Sequence, residues 1–403
     1  MQEKTIIESI FRRYYHFNKH KIEMPSNMSK REFGFILFRS PQTMIRHKAF
    51  STPKELLSFL ENEVPLHAYY STAYYELPSI KDMDEKGWLG ADLVFDIDVD
   101  HIPTPCKKDH DTWTCLDCGL LGKGIPPETC PRCKSKRIDK KVWVCDRCLE
   151  YAKEEVIRLV EDFLMNDFGF SKNEIKIYFS GHRGFHVHVE SKKVLKLNQE
   201  ARREIVDYIK GIGLKLLMNI RHDLRMSDPG WYGRIAKGLY QLIAEANEEL
   251  LSNIGLNRRE IDYTIANKER ILRALEHDLY WNYLSHLSKK SRELLLERVK
   301  LQYSVEIDER VTTDIKRLIR LPGSLHGKTG LPVTSVSLEK IEDFNPFDIY
   351  LFKSMQFIKV KLISDIPPLR LGERNIEASG KLLTLPFPIG FYLACKGVAK
   401  IMW

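Results

Sequence analysis

The sequence predicts a mixed α/β fold that carries a cysteine-rich insertion and a helical insertion. Three observations predict it. Short apolar–polar alternations, with some helix, fill residues 27–105 and 170–195. Seven of the eight cysteines fall between Cys106 and Cys148. Residues 198–300 read as almost entirely helical before strand texture resumes after residue 303. A helical block flanked by strand-bearing blocks reads as an insertion in one α/β domain. The expected organisation is a principal domain of residues 1–196 and 301–403, a metal-binding insertion at 106–148 within it, and a helical subdomain at 197–300.

From the N-terminus, MQEKTIIESIFRRYYHF has helical periodicity and no continuous apolar run, so it reads as an amphipathic helix and not as a signal peptide. The following RRYYHFNKHK, from Arg12, is basic and aromatic. It could touch nucleic acid, but a solvated helix end is the plainer reading. The chain's 403 residues are 43% hydrophobic and 29% charged, enough for an ordinary core, and the net charge of +8 is a mild push toward a polyanionic partner. The most apolar stretch, LPFPIGFYLAC, is too short and proline-broken to cross a bilayer. The expected setting is therefore intracellular, with reduced thiols.

DLVFDIDVDH (Asp92–His101) alternates strictly. Leu93, Phe95, Ile97 and Val99 should face a core, leaving Asp96, Asp98 and Asp100 on the other face, roughly 6–7 Å apart along the strand. Like charges at that spacing repel, and Asp is disfavoured in strands. A hard divalent cation would repay the cost, whereas a solvated edge strand would not need one.

The cysteines come as Cys106-x3-His110, then the pairs Cys115/Cys118, Cys130/Cys133 and Cys145/Cys148. Eight ligands make two closed tetrahedral zinc sites of structural type. Two pairings are open. DTWTCLDC and KKVWVCDRC resemble each other, which favours nesting: Cys106, His110, Cys145 and Cys148 around one ion, and Cys115, Cys118, Cys130 and Cys133 around the other. The sequential alternative joins Cys106 and His110 with Cys115 and Cys118. Cys395 stands apart and reads as a small buried residue.

IKIYFSGHRGFHVHVE (Ile175–Glu190) reads as two strands around a glycine turn. Ser180, Arg183 and His186 could donate to phosphate oxygens. The helical block follows, carried by Arg203–Ile220, Gly233–Leu251, Glu269–Leu287 and Ser291–Lys300. Beyond it, VEIDERVTTDIKRLIRLPGSLHGKTGL offers Glu306, Asp308 and Asp314 as a missing third acid. Lys316, Arg317, Arg320, His326 and Lys328 are its candidate phosphate donors, on a loop that enters a strand at VTSVSL. Acids for metals and cations for a triphosphate fit two-metal phosphoryl transfer. No Walker A or kinase signature is present.

FDIDVD with its following knuckle, SGHRGFH, IRLPGSLHGKTGL, and the earlier REFGFILF and IRHKAF together resemble the small catalytic subunit of archaeal and eukaryotic DNA primase, in order along most of the chain. The helical block and the CLDC–CPRC ribbon are the least typical parts. The resemblance implies a primase-type α/β catalytic fold and a nucleotidyltransferase making short primers on single-stranded DNA during replication with Mg²⁺ or Mn²⁺. It also implies a heterodimer with a large regulatory subunit carrying an iron–sulfur cluster. By matching motifs, Asp96, Asp98 and Asp308 are the implied metal ligands, with Asp308 and not Asp314 as the third acid. Ser180, Arg183, His186, Arg320 and His326 are the implied nucleotide residues. Glu32 and Arg46 are implied near the site. His182 stands where some relatives carry Arg, and Asp100 reads either as a residue standing behind the metal ligands or as a solvated bystander. The family's usual knuckle corresponds to Cys106, His110, Cys145 and Cys148. A repair-type primase-polymerase of the same superfamily and a non-catalytic zinc-ribbon nucleic-acid binder are the rival readings.

Overall fold

The computed structural model describes every residue except 1, 103, 144, 215–224, 277–283, 353–355, 365, 367–368, 372–373, 377–381 and 403. The chain forms two compact units. One comprises Met1–Val156, Asn173–Glu200 and Asp308–Trp403, and the other Ile157–Lys172 and Ala201–Ile307. The helical unit thus takes in 157–172, which strand and helix texture alone leaves with the principal domain.

Two four-stranded antiparallel sheets organise the larger unit. The first runs Leu318–Arg320, Pro65–Ser71, Phe33–Leu37, Ser40–Lys48. The second runs Thr334–Val336, Ile175–Phe179, Gly184–Val189, Leu93–Asp98. Antiparallel pairing suits connections of very different lengths, because it needs no crossover helix between partners. The second sheet is buried on both faces over most of its length: every residue of the inner strand Gly184–Val189 is buried, His186 and His188 included, and on the edge strand Val94 is nearly as buried as Leu93 and Phe95. The strict alternation expected there is therefore softened, and only the far end of Leu93–Asp98 carries polar side chains.

That strand also ends sooner than the alternation suggests. A 3-10 turn begins at Val99, and the Asp98 carboxylate accepts the Asp100 amide at 2.9 Å as its cap. Asp100 consequently leaves the strand and does not share its face.

The N-terminal helix Gln2–Phe17 does not end as a merely solvated basic tip. Tyr14 and Tyr15 are buried, and the Tyr14 hydroxyl donates to the Gly323 carbonyl at 2.8 Å. The Tyr15 hydroxyl accepts the Leu325 amide at 3.3 Å. Arg12, on the outer face, pairs with Glu8. The aromatic half of the cluster supports the 321–333 loop from beneath.

In the helical unit, Gln199–Ile209 stops where Gly211 and Gly213 take left-handed φ values of +63° and +87°. Gly230–Ala244 and Glu248–Ile254 are separate helices, because Asn247 restarts the second by capping Leu250. Arg258–Ala266 opens with a full capping box from Asn257 and Glu260. Lys268–Glu276 and Lys289–Tyr303 follow, and Leu159–Asp167 adds a π-helical segment to the unit. Residues 215–220 and 277–283 of the expected helical stretches lie outside the described residues. No helix among the described residues is long and apolar enough to cross a membrane.

Candidate active site and metal centres

Three backbone features bring distant residues to one sheet edge. His186 lies opposite Asp96, and Gly184 opposite Asp98, in the pairing of Gly184–Val189 with Leu93–Asp98. Position 184 must be glycine: a Cβ there would sit 2.0 Å from the Ile97 carbonyl oxygen. The Asp308 amide donates to the Asp96 carbonyl at 2.9 Å, which lays the third acid beside the first. Asp308 is held again as the N-cap of Glu309–Thr313, where it accepts the Arg310 amide at 2.9 Å. Asp314 instead caps the Lys316 amide, at the other end of that short helix.

The electrostatics follow from this convergence. The Asp96 carboxyl is pushed up to about 7, chiefly by burial and then by the charges of Asp98 and Asp308, against the pull of Arg317 and Arg320. His186 is buried, its Nε2 is 3.6 Å from Asp96 Oδ1, and its Nδ1 has no hydrogen-bond partner among the described residues. Burial, followed by Arg320 and Arg317, lowers its pKa to about 3, so it stands as a neutral imidazole.

The basic residues do not all sit as the motifs imply. Arg183 is turned onto carboxylates: its Nε is 3.2 Å from Asp98 Oδ1, and its Nη2 meets Asp100. Of the two readings of Asp100, the geometry favours the residue standing behind the ligands over the solvated bystander: it is the second acid on this guanidinium. Ser180 holds the turn, accepting the His182 amide at 3.3 Å. The His182 ring stacks on His326 with centroids 4.6 Å apart. The buried His326 accepts the Lys328 amide through Nδ1 at 3.2 Å. Arg320 lies over Tyr69 and donates to His67. Glu32 and Arg46 pair with each other at 3.0 Å, and Glu32 also takes the fully buried Lys86 ammonium at 2.6 Å. Burial opposes the Glu32 charge, but these partners hold its carboxyl below the usual range.

Sequence reading missed His67, which belongs to no glycine-marked motif. It also missed Lys86, whose ammonium is buried against Glu32. Alternation in PLHAYYS could have placed His67 and Tyr69 on one strand face, but nothing in the sequence says which strand they adjoin.

The cysteine region shows a different geometry. Among the described residues, donor atoms gather within 4.8 Å of one another in two sets: Cys106, His110, Cys145, Cys148, and Cys115, Cys118, Cys130, Cys133. These are the nested groups. Contacts such as Cys106 Sγ–Cys148 Sγ at 3.3 Å and His110 Nε2–Cys148 Sγ at 3.2 Å approach the edges of a tetrahedron around an ion with bonds of about 2.0–2.3 Å. In the second set, Cys115–Cys133 and Cys118–Cys130 lie at 3.5 and 3.6 Å. Asp111 fixes the His110 ring through Nδ1 at 2.8 Å and accepts the Trp143 amide at 3.1 Å, tying the two halves of the first set together. Asp96, Asp98 and Asp308 do not close to the 4.8 Å spacing.

Comparison with known proteins settles the family. The DNA primase small subunit family profile matches residues 129–338. The DNA primase small subunit of Methanococcoides burtonii is 33% identical over 99% of this chain and 99% of the relative. That of Methanothrix thermoacetophila is 34% identical, covering 98% of both chains. That of Picrophilus torridus is 37% identical over 83% of this chain and 81% of the relative. The chain belongs to the DNA primase small subunit family. It is a nucleotidyltransferase, the catalytic subunit of a primase acting in DNA replication. Family membership sets aside the reading as a non-catalytic zinc ribbon. The profile starts after Asp96 and Asp98, so the relatives' near full-length coverage, not the profile, reaches the carboxylate strand of this primase subunit.

Proposed function

We propose that this subunit makes primers on single-stranded DNA from nucleoside triphosphates, with Asp96, Asp98 and Asp308 holding the catalytic Mg²⁺ or Mn²⁺ ions. The observation that carries the proposal is the Asp96 carboxyl, raised by burial and by two facing acids that the Asp308–Asp96 backbone bond keeps beside it. Such a set is costly without a cation, and an all-oxygen donor set suits hard divalent ions. When bound, the ions supply charge neutralisation to the triphosphate and its attacking oxygen.

The protein's own residues do the rest. Arg320, under-solvated and stacked on Tyr69, presents a fixed positive fork to phosphate oxygens. His186 and His326 are held neutral by burial, so each can offer a hydrogen bond without adding charge. The Ser180–Gly184 turn brings backbone amides close to the same edge. Arg183 balances Asp98 and Asp100, and its share in Asp98 can pass to a phosphate oxygen while the Asp100 contact stays.

The two cysteine sets are proposed to hold structural Zn²⁺. The subunit is further proposed to work inside the cell beside a separate large regulatory subunit, as the family resemblance implies.

The decisive assay incubates the protein with unprimed single-stranded DNA, labelled nucleotides and Mg²⁺ or Mn²⁺. Template-dependent products are expected from the wild type and a drop of about a thousandfold or more from Asp98→Ala, with zinc content unchanged. Products only from templates that already carry a 3′ hydroxyl would favour a repair-type enzyme. Near-normal rates in Asp98→Ala would place the metals elsewhere.

A further inference from the structure

His67 lies on Pro65–Ser71, two residues before Tyr69, so the two side chains share one face of the strand. The neighbouring strand Leu318–Arg320 pairs with Arg320 opposite Tyr69. The Arg320 guanidinium is therefore gripped twice. It lies 5.0 Å over the Tyr69 ring, and its Nη1 donates to His67 Nδ1 at 2.9 Å. The same Nδ1 accepts the Gly327 amide at 3.2 Å. The His67 ring then packs edge-on against His326, with centroids 4.9 Å apart at 70°. One imidazole thus touches a strand residue, a loop amide and a loop histidine, all more than 250 residues away from it in the sequence.

The tautomer is dictated by these partners. A guanidinium and a backbone amide only donate, so the nitrogen facing both must carry no proton. The ring's proton sits on Nε2. Burial first, then the charges of Arg320 and Lys328, bring the His67 pKa down to about 3, which keeps the ring in this acceptor form. Position 327 is packed closely against the His67 strand: a Cβ on it would meet the Leu66 side chain at 2.4 Å.

We propose that His67 is a positioning residue for nucleotide transfer, an obligatory acceptor whose Nδ1 aims Arg320 and anchors Gly327 so that Arg320, His326 and the turn after it form one rigid triphosphate cradle. The proposal rests on the reading that Arg320 and His326 hold the triphosphate. Without the acceptor, Arg320 keeps its stacking on Tyr69 but loses its aim, and the Gly327 amide is left unpaired.

The test measures nucleotide KM and kcat for the full-length chain extending a primed template. Asparagine places an oxygen where Nδ1 stood and keeps the acceptor. Leucine keeps the bulk and removes it, and glutamine carries its oxygen too far out. His67→Leu and His67→Gln are expected to raise nucleotide KM about tenfold, while His67→Asn stays within about threefold of wild type. Template affinity should not change, and in an Arg320→Ala background His67→Leu should add little. Equal impairment of the Asn and Leu variants would show that the acceptor is not what matters and overturn the proposal, as would an unaffected KM in the Leu and Gln variants. The glutamine variant carries the test if the leucine variant folds poorly. An unchanged KM in Arg320→Ala alone would instead refute the triphosphate reading, and the positioning role with it.

Discussion

The cysteine sets and the carboxylate set bring their donor atoms together in different ways. In the first cysteine set four donors from two short knuckles lie within 4.8 Å of one another, Cys148 Sγ standing 3.2–3.8 Å from the other three, and Asp111 locks the one histidine among them. At the sheet edge three carboxylates from a strand and a helix cap stay further apart, and each has a partner of its own: His186 at Asp96, Arg183 at Asp98, the Arg310 amide at Asp308. The difference teaches what each is for. A closed set spends its donors on folding and has no position for a substrate. A looser set with exchangeable partners can admit and release a nucleotide in every cycle.

The comparison is broken most severely at Cys148, which is fully buried and touches Cys106, His110 and Cys145. Cys148→Ser is expected to cost one zinc per molecule and to lower the melting temperature by about 10 °C or more, since a structural ion supplies folding free energy. Metal analysis with a thermal melt checks both, and an unchanged melt would demote the site to an ornament.

Deleting Thr114–Val142 is expected to do less. Thr112 and Trp113 pair with Lys141 and Lys140, so the cut ends already lie side by side. One zinc should remain, held by Cys106, His110, Cys145 and Cys148, and elongation should stay within about threefold of wild type. Retention of no zinc would reject the nested grouping.

Asp100→Asn should have the smallest effect and sharpen the contrast. Arg183 keeps Asp98, so nucleotide addition should fall by about threefold or less, and an exposed carboxylate pair contributes little to stability. Primer-extension rates decide it. A loss as deep as that of Asp98→Ala would make Asp100 a member of the metal set.

Much of the site was legible because alternation and glycine punctuation are local signals. Asp96, Asp98, the Ser180–Gly184 turn and the cysteine spacing all announce themselves within ten or so residues. The fold class was legible from the same textures. What stayed hidden depended on register between strands far apart in the chain. Asp100 looked like a third strand carboxylate until the Asp98 side chain capped a turn there. Nothing in the sequence marks His67, whose role depends on Leu318–Arg320 pairing beside its strand. Tyr14 and Tyr15 sat in a basic run that reads as surface, yet their hydroxyls reach a loop at the other end of the sequence. The ends of the helical stretches were set by glycine and asparagine conformations that periodicity does not weigh.

The backbone bond between Asp308 and Asp96 carries a consequence for how the molecule comes into being. Its two ends lie on either side of the helical unit in the chain, so they can meet only when the whole intervening segment has been synthesised and the long loop between them has closed. Closure of such a loop is entropically slow to be rewarded, and contacts of this range form late. A nascent chain carrying the carboxylate strand, the histidine strand and both cysteine knuckles would already be able to fold locally and take up zinc, yet it would lack its third acid. With Asp308 as the proposed third metal ligand, the centre would be assembled last, and a truncated product of translation would be inert.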